Sequence, residues 1–395
     1  MTLIRKVEIA RNELGYDAWD RPKTISDKSI FHGLFTYNVP VSAWYETING
    51  VITSGTPTNC TSVDGALKVL AGANNTYLRS YRNPRYEPNK GALYSTAGWI
   101  VNPTSAMTRE WGTFTAESGT FFRLKSGGTL VGVIRTTVSS ITTDTEYALT
   151  LPAGLDLSKG NTFDIQYQWR GVGNYKWFIN LVEVANSETL GTLTQLSMFN
   201  PALPVAWKST NLGDNDPMYF GCVDVTSEGG QDHGKTYGSV SISNQVGQVA
   251  ITGYNIPIIA IRSKTTVNSL INTRDTLALL LTAYSSENAF IRVWYTRDFT
   301  KITNGTQVWS NYGDGHLEFI EYNPGAGTPM SFNITGLSPT FGSRIGKDST
   351  YDTSALFNDK TGIYLTPGDM LVFTMHRETG IAANVGVTFE FAEEV

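Results

Sequence analysis

Between Thr162 and Asn180 apolar and polar positions alternate with a period of two. Phe163, Ile165, Tyr167 and Trp169 are interleaved with Asp164, Gln166, Gln168 and Arg170, the pattern of a strand with one buried face. After Gly171-Val172-Gly173 the alternation resumes, with Tyr175, Trp177 and Ile179 against Lys176 and Asn180. The two runs predict a β-hairpin whose glycines supply the positive φ angles of a tight reversal. One hairpin cannot bury its own rows of aromatic and β-branched side chains, so a second sheet must cover it.

The same reading extends along the chain from Trp44. Short strand patterns at Val63 to Leu70, Gly91 to Val101, Arg109 to Phe114, Gly119 to Leu124 and Thr129 to Val138 are separated by Gly, Asn, Pro and Ser clusters, as a sandwich requires; between the first two, Tyr77 to Tyr86 is the most cationic segment, its arginines read as partners for the chain's own carboxylates or for a subunit interface. Leu151 to Gly160 reads as a polar connection. Ser239 to Ala250 reads as a strand pair or a return strand that completes the first sandwich, which puts a domain boundary near residue 250. Beyond it lie Asn255 to Arg262, Leu277 to Tyr284, Phe290 to Arg297, Leu317 to Tyr322, Ser331 to Leu337, Ile363 to Thr374 and Gly386 to Phe391. They predict a second, smaller sandwich. Val385, Val387, Phe389 and Phe391 alternate with polar residues, so the last strand is expected to lie inside a sheet. The expected fold is all-β: two β-sandwich, jelly-roll-like domains at residues 44–250 and 251–395, preceded by an extended N-terminal arm at residues 1–43.

Composition agrees. The chain has 395 residues and is 16% charged, against about 25% in ordinary soluble domains. A net charge of -5 without a Lys/Arg cluster gives no electrostatic case for binding nucleic acid. Only Cys60 and Cys222 are present, too few for a disulfide framework and consistent with a reducing compartment. No apolar run is long enough for a helix to cross a bilayer. The start lacks the apolar segment of a signal peptide, and a soluble protein made in the cytosol is expected.

Candidate chemistry is sparse. Four histidines, at 32, 233, 316 and 376, show no metal-ligand spacing, and His316 reads as a solvated turn residue. Neither a phosphate-binding glycine loop nor a nucleophile elbow is found. A glycoside hydrolase needs two opposed carboxylates. Asp164, Glu183, Asp214, Asp216 and Asp224 qualify by type, but Asp164 falls on the outer face of its strand and Asp214 and Asp216 sit in a turn sequence. The expectation is no catalytic residue, no metal and no cofactor. Trp19, Arg21, Phe31 and Phe35 in the arm, with Arg82 and Arg85, are candidates for a subunit interface. The competing reading packs the aromatic arm on its own domain.

The segments DAWDRPKTISDKSIFHGLF, RYEPNKGAL, REWGTFTAESGTFFRL, LVGVIRTTV, DIQYQWRGVGNYKW and FNPALPVAWK, in that order from Asp17 to Gly230, resemble a virion structural protein family of tailed bacteriophages. Members of that family usually carry a glycine where this chain has Asp20. The resemblance implies a particle component at tail, baseplate, fibre or capsid surface and transfers no catalytic residue. It leads to the expectation of a non-enzymatic virion protein, assembled in the host cytoplasm as a symmetric trimer or hexamer beside other virion proteins. Capsid decoration is a variant of that expectation. The alternative is a receptor- or carbohydrate-binding module on the particle, with Trp309 and Tyr312 as the leading glycan contacts and Trp207 and Trp294 as further aromatic candidates.

Overall fold

A computed structural model describes residues 28–394 with breaks at 42, 54–55, 74, 85, 87–89, 170–172, 189–192, 194, 229–236, 244–248, 252–254, 268–269, 273–275, 313–315, 324–327, 329, 353–363 and 379–382. The fold is all-β. The chain divides into two compact units, Met1–Asp232 and His233–Val395.

The first unit is a sandwich of two eight-stranded antiparallel sheets. The hairpin at its centre forms as the alternation requires. Strand Asn161–Tyr167 pairs with Tyr175–Ile179 in the register Phe163 to Ile179, Ile165 to Trp177 and Tyr167 to Tyr175. It then pairs with Gly91–Ile100, which in turn pairs with Met218–Glu228. This is sheet I. Sheet II runs Ile141–Ala148, Leu130–Val138, Gly119–Leu124, Met107–Phe114, Val205–Asn211, Asn75–Ser80, Trp44–Ile48 and Val51–Ile52.

The rings meet between the two layers. Trp111 of sheet II lies 5.1 Å from Phe163 and 5.8 Å from Phe220 of sheet I. Tyr167, Tyr175 and Trp177 are buried in the same core, and the partly buried Trp169 packs against it with its indole N–H on the Met198 carbonyl at 2.8 Å. Burying this many aromatic side chains, at about 25 cal/mol per Å² of apolar surface, is what holds the layers together.

Part of the expected arm belongs to this sandwich. Lys28–Leu34 pairs antiparallel with Met218–Glu228, which turns Phe31 into the core. Phe35 follows it inward and lies 5.4 Å from Trp44 and 5.6 Å from Trp207. Strand Ile141–Ala148 was not evident in the sequence because this edge strand is mostly threonine and acidic residues, with Tyr147 its one large side chain packed on the core.

In the second unit, one six-stranded sheet is built on Ala383–Glu394, flanked by Tyr237–Ser243 and Thr276–Ser285. The last strand therefore does lie inside a sheet. The other six-stranded sheet, sheet IV, runs Ser310–Tyr312, Leu317–Glu321, Ile256–Ser263, Met370–Arg377, Ala289–Thr296 and Pro339–Ile345. Phe373 and Phe389 meet at 5.1 Å in the core between the two. Tyr237–Ser243 and Val249–Ile251 both pair with the last strand, so the segment read as closing the first sandwich belongs to the second unit. The division accordingly falls at 232 rather than near 250.

Candidate functional site

Sheet IV has a second apolar cluster on the face turned away from its sandwich core. Ala260, Val372, Trp294 and Ile320 occupy neighbouring positions on that face, and residues of the 299–337 excursion, including Ile302 and Met330, pack over them. Arg262 and Glu318 lie opposite one another at the edge of this cluster. Arg262 Nε donates to Glu318 Oε2 at 2.8 Å, and Nη2 forms an ion pair with the same oxygen at 2.7 Å. The guanidinium stands 4.1 Å from the centre of the Trp309 ring and 5.1 Å from that of Phe299. Trp309 is partly exposed, and its indole N–H donates to Asn304 Oδ1 at 3.1 Å. Lys264 Nζ reaches Glu318 Oε1 at 3.4 Å and Asn311 Oδ1 at 3.2 Å.

The result is an ordered surface of one indole, one guanidinium, one carboxylate, one ammonium and two amides. Cation–π contact and the hydrogen bonds fix the planes of these groups before any ligand arrives. Arg262, Lys264 and Asn304 were not singled out in the sequence. They are distant along the chain, and only the pairing of Ile256–Ser263 with Leu317–Glu321 brings them together.

Several sequence-level candidates fall elsewhere. Tyr312 does not share the Trp309 surface: it packs toward the sandwich core, its ring 6.2 Å from Phe319. Trp207 is fully buried between the sheets of the first unit, and Trp294 is buried with its indole N–H on Thr374 Oγ1 at 2.7 Å. Phe31 and Phe35 are core residues of their own unit. Arg82 lies within the described first unit, whereas Trp19, Arg21 and Arg85 lie outside the described residues. His316, read as solvated, is buried, with its backbone carbonyl accepting from Lys264 N at 2.8 Å.

The carboxylates separate into two groups. Asp214 accepts from Ala106 N at 2.6 Å and Asp216 from Asn102 Nδ2 at 3.0 Å, which are the turn roles their sequence implies. Asp164 and Asp224 share the outer face of sheet I, each directly opposite Ser95. Two strand spacings therefore separate them, about 9–10 Å between backbones. Asp164 is only 3% exposed despite facing outward. Burial pushes its carboxyl up, and the hydrogen bond from Ser95 only partly offsets this. Among the described residues, no three His, Cys, Asp or Glu side chains gather as a metal site would need, and no helix is long and apolar enough to cross a membrane.

The chain matches no protein-family model and no curated protein. Among solved structures it is similar to an endo-1,3-β-glucanase from Streptomyces sioyaensis, with 12% identity, a TM-score of 0.37, and 53% of this chain and 100% of that one covered. It is also similar to β-agarase A from Zobellia galactanivorans, with 15% identity, a TM-score of 0.35, and 50% and 92% covered. A β-1,3-glucanase from Mycobacterium marinum shows 12% identity, a TM-score of 0.36, and 51% and 100% covered. The expectations of a non-enzymatic virion building block, and of a chain that is not an enzyme, are corrected here, because these neighbours are polysaccharide-degrading enzymes rather than virion components. The likeness is one of fold, and no substrate or reaction passes from these proteins to this chain.

Proposed function

We propose that this protein recognises carbohydrate, and that the Trp309 surface of the second unit is a contact site. The observation that carries this reading is the grouping of a partly exposed indole with Arg262, Glu318, Lys264 and Asn311 in one ordered cluster. Sugars offer apolar C–H faces and vicinal hydroxyls together. An aromatic ring beside planar donors and acceptors meets both at once. Fixing the donors beforehand lowers the ordering cost of binding.

The motif order between Asp17 and Gly230 supports placing the protein on the surface of a tailed-phage particle, where a glycan of the host envelope is the ligand. Glycan-array screening of the full chain, followed by titration with the best ligand, tests the assignment. A Trp309→Ala variant that melts like the parent should bind at least tenfold more weakly. Unchanged affinity in that variant, or no glycan bound by the parent, removes the reading.

A further inference from the structure

The outer face of sheet I is covered around Asp164 and Gln168, which are buried, and open farther along. The open part lies where strands Lys28–Leu34, Ala66–Val69, Met218–Glu228 and Gly91–Ile100 run side by side. Phe220, Val223 and Val225 project into the core, while Tyr219, Cys222 and Asp224 project outward, with a register shift between Phe220 and Cys222. Trp99 stands opposite Tyr219, Ala97 opposite Cys222 and Ser95 opposite Asp224. On the other side of the same strand, Lys68 pairs with Tyr219 and Leu34 with Cys222. Leu34 is 63% exposed, Cys222 is exposed, and Trp99, Tyr219 and Ala97 are partly exposed.

Single apolar side chains in water are ordinary, but a contiguous group with a polar rim marks an interaction surface. Trp99 and Tyr219 stack with ring centres 4.9 Å apart and planes 10° apart, a cross-strand pair that stiffens the sheet. A sugar lies on a free ring face, and one face of each ring here is taken by the other. Another protein surface needs only matching shape and charge. The charges at the two ends of the patch identify it. Lys68 has no ion pair or side-chain hydrogen bond among the described residues, and the partly exposed Asp224 carboxylate accepts from Ser29 Oγ at 2.5 Å with one oxygen, Oδ1, leaving Oδ2 outside that bond. The two lie about 15 Å apart along the strand direction, with the apolar residues between them. A patch that is cationic at one end and anionic at the other complements itself. A half-turn about an axis lying in the contact plane and crossing the strands near Cys222 sets Lys68 of each copy over Asp224 of the other.

We infer that this face is a two-fold contact between copies of this chain, centred on Leu34, Cys222, Trp99 and Tyr219 and closed at both ends by Lys68 with Asp224. Sedimentation equilibrium of the full chain should show monomer and dimer exchanging at micromolar concentration. A short bismaleimide should join two copies through Cys222, the exposed thiol, since Cys60 is buried. Cys222→Ser should abolish that cross-link and keep the dimer. Lys68→Glu and Asp224→Lys each set like charges against one another, so each alone should weaken association at least tenfold. Mixed in equal amounts the two variants should associate again, because each supplies the charge that the other lacks. Leu34→Glu, at a position open to water in the single chain, should also weaken association at least tenfold and serves where Asp224→Lys does not fold. The inference is overturned by a chain that stays monomeric up to about 100 µM, by a dimer that Lys68→Glu and Leu34→Glu leave unchanged, or by folded charge variants that stay apart when mixed. Glycan binding that persists in Trp309→Ala and disappears in Leu34→Glu would assign the face to a sugar and overturn it equally.

Discussion

Replacing Arg262 with lysine keeps the charge and removes the plane. In the native arrangement the guanidinium donates a hydrogen bond to Glu318 through Nε, pairs with it through Nη2, and stands over the Trp309 and Phe299 rings. Lysine retains one contact with the carboxylate and loses the stack. The lost cation–π contribution is about 0.5–1 kcal/mol, and one charge-assisted hydrogen bond adds about 1.5 kcal/mol at this partly screened position. The sum is about 2 kcal/mol, which for a unit of this size lowers the melting temperature by roughly 4–8 °C. Scanning calorimetry of the full chain measures that shift. Affinity for the ligand found by glycan array should also fall, because Trp309 loses the group that orients it. A double-mutant cycle of Arg262→Lys with Trp309→Ala separates the two effects: if Arg262 acts through Trp309, the second substitution adds little to the loss of binding caused by the first. Strict additivity, or an Arg262→Lys protein with unchanged affinity, would refute the positioning role.

Phe35→Ala should cost about 3–5 kcal/mol in urea unfolding, because the ring is fully buried against Trp44 and Trp207. A loss below 1 kcal/mol would show that the ring is not part of the core. Asp164→Asn should grow more stable relative to the parent as pH rises from 4 to 8. Burial raises the Asp164 pKa, so the parent's stability from this group is complete only below the unfolded value of about 3.9 and is lost as pH climbs through the folded value, whereas asparagine cannot ionise. Urea midpoints of both proteins at the two pH values check this, and a difference that is constant or reversed contradicts it.

The sequence was most legible where a strand alternates apolar side chains toward the core with polar ones on its outer face. The run from Phe163 to Tyr167 shows its period of two because its neighbours on both sides are strands of sheet I and its inner side meets Trp111 and Phe122. Ile141–Ala148 was illegible for the opposite reason: an edge strand needs no dry face, and threonines, Asp144 and Glu146 fill it. Periodicity also identifies strands without identifying their partners. Val240 and Ile242 mark a strand correctly, but its pairing with Phe391 and Phe389 spans the second unit, and nothing local encodes that distance. Trp309 and Tyr312 are three residues apart, yet they pack into different clusters, so nearness along the chain was a poor guide to a shared surface.

Alternation fixes which way a side chain faces, but it does not fix whether water reaches it. Both sheets of the first unit have buried polar groups on their outer faces, and the two faces differ in how completely those groups are paired. On sheet II, Arg123 bonds Glu110 at 2.7 Å, Asp144 at 2.5 Å and Glu146 at 3.2 Å, while Arg135 bonds Asp144 at 2.7 Å and the Thr115 carbonyl at 3.0 Å. Both guanidiniums lie over the Phe121 ring, at 5.2 and 4.8 Å. Burial alone would push Asp144 up, but hydrogen bonds from Arg135 and Arg123 outweigh it and hold the carboxyl below the usual range. Ion pairs hold this network together, and Glu110 Oε2, 3.6 Å from Lys208 Nζ, is its one carboxylate oxygen buried without a hydrogen-bond partner among the described residues. On sheet I, Asp164 Oδ2 and both amide atoms of Gln168 are buried without hydrogen-bond partners among the described residues.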